Sequence, residues 1–523
     1  MLNVRLLALF SFLFLISGCN LNGFPDQSGD SEPVSDDPVT EVEERFPEVQ
    51  RVEFADNTPG DIQVTVFHNE ADDGFEFDIF FSRNDGESWQ PARIQRQESH
   101  TIPVQSGNET VFIWERVKDL GLRSTAPVLM RIIPANSEWT GDAFIAAAPV
   151  PDSPHAVISS IDSPIIYYDR VDEAAVAHLE AYQLAVVHPV NGELTRDIVA
   201  DIQDGVDPLD PADDVLVLCY ISVGEDLRTV ALSDEQMRAD PRFQGDGSGP
   251  RVDPRGILAW TGSLDNIDPV GLPSPGGSGF ASWYLDDNSV SNDPNGMGDG
   301  LPDRNSLFGA AFVNAGDPAW FEALQEMTFQ DDGVPGMREI LTTDFGLGLG
   351  CDGLFLDTID TAAPNSFTDS NSPNQSEFEW TAPGFTTFIQ RLRNTYPNAL
   401  IMQNRGLFYF NPDFPHYAYN AGADIDFLLF ESYRLDSNTN SEFNAYFYSD
   451  NKFNYTPKIM AEANRRNGFK VISLGYAEGP VESIAKETLL GQNSLGLETL
   501  LTDILEAQEH AGFRHYITDG GIT

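Results

Sequence analysis

The segment Cys351-Asp-Gly-Leu-Phe-Leu-Asp-Thr-Ile-Asp360 decides how the long C-terminal part of this chain is read. From Gly353 to Leu356 it offers neither face of a sheet a polar side chain, and then a carboxylate, Asp357, follows at once. A strand that is apolar on both faces is covered on both faces, as in a parallel sheet wrapped by helices. Working outward, the same grammar recurs at residues 165–169, 184–188, 215–222, 310–314, 399–404, 425–431 and 470–476. Helical patterns at 173–182, 318–327, 385–395 and 494–511 fall between these runs or after the last of them. The reading is α/β: a (β/α)8 TIM barrel over residues 155–523. The run His515-Tyr-Ile-Thr-Asp519 adds a ninth strand candidate, one more than such a barrel holds.

Reactive groups of such a barrel sit where its strands end. In this count the third strand ends Tyr220-Ile-Ser-Val-Gly-Glu225 and the fifth ends Phe355-Leu-Asp357-Thr-Ile-Asp360. The sixth ends Gln403-Asn404-Arg405-Gly406, and the seventh Phe430-Glu431-Ser-Tyr433. Glu225, Asp357, Asp360, Asn404 and Glu431 therefore converge on one mouth. Crowded carboxylates repel one another and lose water, which keeps a protonated acid beside an ionised partner. That pairing is what cleavage of a glycosidic bond requires. Asp357 and Glu431 each follow several apolar residues, where an unpaired carboxylate is costly without a function. Asp360 reads equally as a cap on the turn that follows. Tyr168, Tyr433, Tyr476 and Trp283 offer rings that would stack on a sugar or fill the core.

These strand-end motifs, together with Asp426-Phe-Leu-Leu-Phe-Glu-Ser432, resemble the serial motifs of glycoside hydrolase family 114, the endo-α-1,4-polygalactosaminidase-like barrels. The resemblance runs over nearly all of 160–520. It implies a retaining hydrolase of an amino-sugar polysaccharide, an α-1,4-linked and partly deacetylated N-acetylgalactosamine polymer. By position it implies Asp357 as nucleophile and Glu431 as general acid/base. Tyr220, Glu225, Asp360, Asn404 and Tyr433 would line the sugar site. No cofactor is needed for that chemistry. The competing class is a polysaccharide-binding lipoprotein whose barrel is inactive, and the two carboxylates distinguish the readings.

The rest of the chain sets the context. Lys and Arg number 30 against 82 Asp and Glu, a formal charge of −52. Such a chain repels phosphate backbones and anionic lipid surfaces, which excludes nucleic acid and leaves neutral or cationic ligands. Residues 1–18 carry Arg5, an apolar run and Ile16-Ser-Gly-Cys19, a pattern that resembles a lipoprotein signal peptide. Cys19 is then the lipidated residue, the lipid its only membrane contact, and the address an exported lipoprotein at the outer membrane or cell surface. Residues 19–48 are an acidic linker too poor in apolar groups to fold. Residues 49–150 alternate in short strands with turns, an all-β sandwich that resembles bacterial fibronectin type III-like modules through Phe80-Phe-Ser-Arg-Asn-Asp-Gly-Glu-Ser-Trp89. Within the barrel, 240–308 is an insertion rich in Asp and Gly. Its run from Asp293 through Asn295 and Asp299 to Asp303 looks like a thrombospondin type 3 calcium loop, with spacing altered by an insertion. Oxygen ligands of this kind suit structural Ca²⁺, and a solvated acidic loop is the plainer reading. Cys219 and Cys351 read as buried thiols, too few to frame a disulfide scaffold, with a bond between the two left open. Of the 8 histidines only His188 and His515 fall near strand ends, which gives no metal-ligand spacing.

Overall fold

The computed structural model describes residues 46–56, 61–69, 74–95, 97, 99–121, 123–125, 127–149, 158–208, 213–254, 264, 267–268, 270–286, 298–305, 308–364, 378–435, 449–477 and 494–519. Residues 1–18, Cys19, Asp293 and Asn295 lie outside them, as does most of the 19–48 stretch.

The N-terminal region is a β-sandwich. Strands β1 (Val49–Asp56), β2 (Ile62–His68) and β6 (Glu109–Trp114) form one antiparallel sheet. Strands β3 (Glu76–Ser82), β4 (Gln90–Pro91), β5 (Thr101–Pro103), β7 (Val128–Ala135) and β8 (Phe144–Ala148) form the other. Alternation decides the faces: Phe77, Ile79 and Phe81 point into one core with Val64, Val66 and Trp114. Trp114 is fully buried and its indole N–H donates to Asp119 at 2.7 Å, so this ring is packing and not a sugar platform.

Eight parallel strands follow in one sheet, in sequence order. They are β9 (Pro164–Tyr167), β10 (Leu184–Val187), β11 (Leu216–Ser222), β12 (Gly353–Asp357), β13 (Leu400–Asn404), β14 (Phe427–Phe430), β15 (Lys470–Ala477) and β16 (Arg514–Asp519). Asp162, just ahead of β9, accepts from Lys470 of β15 and Arg514 of β16 at 2.9 and 2.7 Å, which brings the two edges of the sheet together. The barrel expectation holds, but its strand count needs two corrections. The run 310–314 is not a barrel strand: Ala311–Phe312 pairs antiparallel with Glu225–Asp226 and belongs to a layer built by the insertion. The ninth candidate is in fact the eighth strand, β16. Apolar continuity reports burial, and a buried strand beside the insertion reads the same as a barrel strand. Asp357, Asn404 and Glu431 thus stand on or just after the fourth, fifth and sixth barrel strands.

The insertion is anchored by a buried ion pair. Arg228 clasps Asp226 through Nε and Nη2, both at 2.9 Å, while Tyr284 donates to the same carboxylate at 2.7 Å. Cys219 and Cys351 are bonded, with Cα atoms 6.2 Å apart across 132 positions of sequence, which corrects the buried-thiol reading in favour of the bond left open by the sequence. Their strands are neighbours in register, Leu218 facing Gly353, a proximity no cysteine count could show. Because the closed loop is long, Cys351→Ser is expected to lower stability by about 2–4 kcal/mol. Urea unfolding of the variant, beside the untouched chain with and without reductant, checks this.

At the opposite end from the strand tips the sandwich seals the barrel. Helix α1 (Arg116–Leu120) lays Val117 against the residues filling the barrel interior, and Lys118 pairs with Asp214 at 2.9 Å, just ahead of β11. The sandwich is the floor of the barrel.

Candidate active site

Strand parity builds the site. Phe355, Met402, Leu429 and Leu474 fill the barrel interior, and the residues two positions on are Asp357, Asn404, Glu431 and Tyr476. Likewise Leu218 leads to Tyr220, Val186 to His188 and Ile166 to Tyr168. A period of two places each of these on the inward face, one layer nearer the C-terminal mouth.

Five of these side chains form one hydrogen-bonded chain across β11 to β15. Tyr220 Oη donates to Asp357 Oδ2 at 2.9 Å. Asn404 Nδ2 donates to Asp357 Oδ1 at 2.9 Å and to Glu431 Oε2 at 2.8 Å. Tyr476 Oη donates to Glu431 Oε1 at 2.5 Å. Each carboxylate is thus held by one phenol and by one N–H of a shared amide. The amide orientation follows from its neighbours, since only its nitrogen can face two carboxylates. Among the described residues no salt bridge reaches either acid. Burial, and then the charge of Glu431, push the Asp357 carboxyl up. His188 stacks on Tyr220 with ring centroids 4.6 Å apart, and burial pushes it down to about 4, so this imidazole is neutral at pH 7.

Backbone geometry presents the three central residues. Thr358, Arg405 and Ser432, each directly after Asp357, Asn404 or Glu431, have φ of 64°, 52° and 56°. None is a glycine, and left-handed backbone at such residues costs of order 1–3 kcal/mol each, a strain that gathers at working sites. The turn ends the pleat one residue after the functional side chain. Thr358 is braced there: its Oγ1 accepts from Gly224 N at 2.7 Å and meets Ser222 Oγ at 3.0 Å. Gly224 must lack a side chain, because a Cβ would collide with the Thr358 carbonyl.

The other expected residues take different places. Glu225 is buried beside the cluster, where burial pushes its carboxyl up to about 7 and Asn305 of the insertion donates to it at 2.9 Å. It shares a small pocket with His188, Tyr220 and Trp320. Asp360 accepts from Arg405 Nε at 2.8 Å and Gly406 N at 3.0 Å, so it braces the turn behind Asn404. Tyr433 is not brought to the mouth: it is fully buried against Phe430 and Phe513, on the helix side of the sheet. The inward residue of that strand end is Glu431, and the left-handed Ser432 turns the chain away. Trp283 packs on Trp320 in the insertion core. In the sequence Tyr476 reads only as an aromatic ring. Its bond to Glu431 was legible in principle from its spacing, two residues beyond Leu474 of the interior.

Among the described residues no group of three or more His, Cys, Asp and Glu is placed to hold a metal ion. Of the calcium-loop residues, Asp299 and Asp303 are described. Asp299 offers its backbone N–H to Asp286 Oδ1 at 3.2 Å, and Gly300 N donates to Asp286 Oδ2 at 2.8 Å, so Asp286 is a hub of this part of the loop. His515 is also inside the protein: its ring bonds Ser473 Oγ at 2.8 Å and Asp503 Oδ2 at 2.7 Å, and all three side chains are sealed from solvent.

No protein-family model matches the chain, and no curated protein matches it either. Solved structures with similar backbones include the glycoside hydrolase domain of PelA from Pseudomonas aeruginosa, at TM-score 0.36 and 13% identity, covering 69% of this chain and 95% of that one. A Bacteroides uniformis beta-glucuronidase aligns at TM-score 0.29 and 9% identity over 91% of this chain and 45% of its own. A family 76 glycoside hydrolase from a bovine Bacteroides thetaiotaomicron strain aligns at TM-score 0.15 and 11% identity over 26% and 24%. Likeness at these scores carries no argument about the reaction, which rests on the side chains.

Proposed function

We propose that this protein is a glycoside hydrolase that cuts an amino-sugar polysaccharide, an α-1,4-linked and partly deacetylated N-acetylgalactosamine polymer, by a retaining two-carboxylate mechanism. The observation that carries the reading is the pair of buried carboxylates bound to one Asn404 nitrogen. Asp357 Oδ1 and Glu431 Oε2 lie 2.9 and 2.8 Å from that atom, a closeness that supports the tighter carboxyl spacing of a retaining pair. In this mechanism Glu431 gives its proton to the leaving oxygen while Asp357 attacks the anomeric carbon. Water activated by the ionised Glu431 then releases the sugar from Asp357. No metal or organic cofactor enters either step. The charge of −52 favours a neutral or cationic polymer, which supports the choice of an amino sugar. Export as a lipoprotein anchored through Cys19, at the outer membrane or cell surface, is proposed on the sequence alone, as is structural Ca²⁺ at Asp293, Asn295, Asp299 and Asp303.

The test is release of soluble oligosaccharide by the full chain from partly deacetylated galactosaminan, chitosan and a neutral glucan, with and without chelator. The expected result is release from galactosaminan with retention at the new anomeric centre, read by NMR of the first products, and no effect of chelator on rate. Binding to galactosaminan without release would instead identify a polysaccharide-binding protein.

A further inference from the structure

Each carboxylate oxygen of the pair has a named donor, and the donors differ in kind. The two inner oxygens, Asp357 Oδ1 and Glu431 Oε2, face an amide nitrogen. That nitrogen only donates, so the lone pairs facing it are closed to a proton. The two outer oxygens, Asp357 Oδ2 and Glu431 Oε1, face the phenols of Tyr220 and Tyr476. A phenol donates to a carboxylate and accepts from a carboxylic acid, so it serves both states of its partner. Asn404 therefore bars a proton from the lone pairs between the acids, while the outer oxygens face partners able to accept one.

We infer that Tyr476 is the positioning residue that places the catalytic proton on Glu431 Oε1, turning its own O–H as Glu431 passes between acid and base. The inference rests on the proposed roles of Glu431 and Asp357. Proton balance is simple: the proton leaves Oε1 for the leaving oxygen, and Tyr476 then donates to the oxygen left bare. The water of the second step returns one proton to Oε1, and Tyr476 accepts again. Among the described residues the groups around this bond are Asp357 from β12, Asn404 from β13, Thr518 of β16 in register beside Tyr476, and Tyr168 and Tyr220 from the strand ends across the mouth, none of them a cation. The phenol and the amide are thus the donors that stabilise ionised Glu431.

Two variants of the full chain test this. Tyr476→Phe removes the donor, and 3-fluorotyrosine at 476 strengthens it with little change of shape. The first readout needs no substrate: ¹³C NMR titration of chain carrying δ-¹³C glutamate, with the Glu431 signal assigned by its loss in Glu431→Gln. Loss of the donor in Tyr476→Phe and its strengthening in fluorotyrosine are expected to move the Glu431 signal in opposite directions, upward in pH for the first and downward for the second. The second readout is the pH–rate profile on whichever amino-sugar polymer is cut, whose basic limb should move with the NMR value. A titration unmoved by both variants overturns the inference, as does fluorotyrosine moving it upward. If the NMR values move as expected while no polymer is cut, the hydrolase reading fails and the proton placement stands.

Discussion

Asp357→Asn and Glu431→Gln are each expected to abolish turnover, by about 10³-fold or more, while leaving the protein folded. Both substitutions keep shape and remove a charge. They should separate by leaving group. Glu431→Gln removes the proton donor, so a substrate whose leaving group needs no proton is attacked by Asp357 at a partly restored rate, and azide releases the trapped sugar. Asp357→Asn removes the attacking oxygen, and neither change of substrate nor azide at that step restores retention. Identical losses on all leaving groups, with no azide effect on Glu431→Gln, would overturn the assignment of roles.

The stability of Asp357→Asn adds a second, independent sign. Burial and Glu431 raise the Asp357 carboxyl above its unfolded value. The folded state then binds its proton more tightly than the unfolded chain does. Stability from this group is greatest at low pH and is lost as pH rises through the raised value. Asp357→Asn is therefore expected to melt higher than the parent at neutral and alkaline pH, with the gain fading as pH falls toward the ordinary carboxylate range. The raised Asp357 is compatible with a nucleophile that must be ionised. Burial is the larger cause of that rise and the charge of Glu431 the second, so a proton on Glu431 relieves part of it.

The site was legible in the sequence to the extent that it obeys strand parity. Asp357, Asn404 and Glu431 each follow an apolar run by a fixed step, and an inward interior residue two positions earlier is enough to aim them. Tyr220 and Tyr476 obey the same rule, but their bonds to particular carboxylates depend on which strands are neighbours. The 310–314 run hid that neighbour order, because a buried strand beside the insertion has the same apolar texture as a barrel strand. With it counted, Asp357 and Glu431 came from the fifth and seventh strands; with it removed, they come from the fourth and sixth and flank Asn404 directly. The disulfide was hidden for the same reason, since Cys219 and Cys351 meet only when β11 and β12 are adjacent. The left-handed turns after the three central residues had no local signal at all. Thr358, Arg405 and Ser432 are poor formers of that conformation, and the surrounding structure imposes it.

Removing one buried carboxylate far from the mouth is expected to cost the most stability. Asp426 stands just before β14, its side chain wholly buried, and it accepts from Arg393 Nη2 at 2.8 Å and from Ile401 N at 2.9 Å. Arg123, from the segment that follows α1, is its third partner. Asp426→Ala leaves two largely buried guanidinium groups and one backbone N–H facing a void, and should lower stability by about 3–5 kcal/mol. Arg123→Met removes only the sandwich's share of this knot and should cost less, because Arg393 and Ile401 still satisfy the carboxylate. The order of these losses, measured by urea unfolding, separates a buried charge left unpaired from a simple lost contact; equal losses would mean that the knot is not held through Asp426. Calorimetry carries the argument to the whole molecule. Val117 of the sandwich covers the residues that fill the barrel interior, so the two parts, each with its own core, are joined through this contact and should unfold in one transition. Arg123→Met loosens that join and is expected to split the transition, the sandwich melting first, while the disulfide between Cys219 and Cys351 stays within the barrel and leaves its later transition in place.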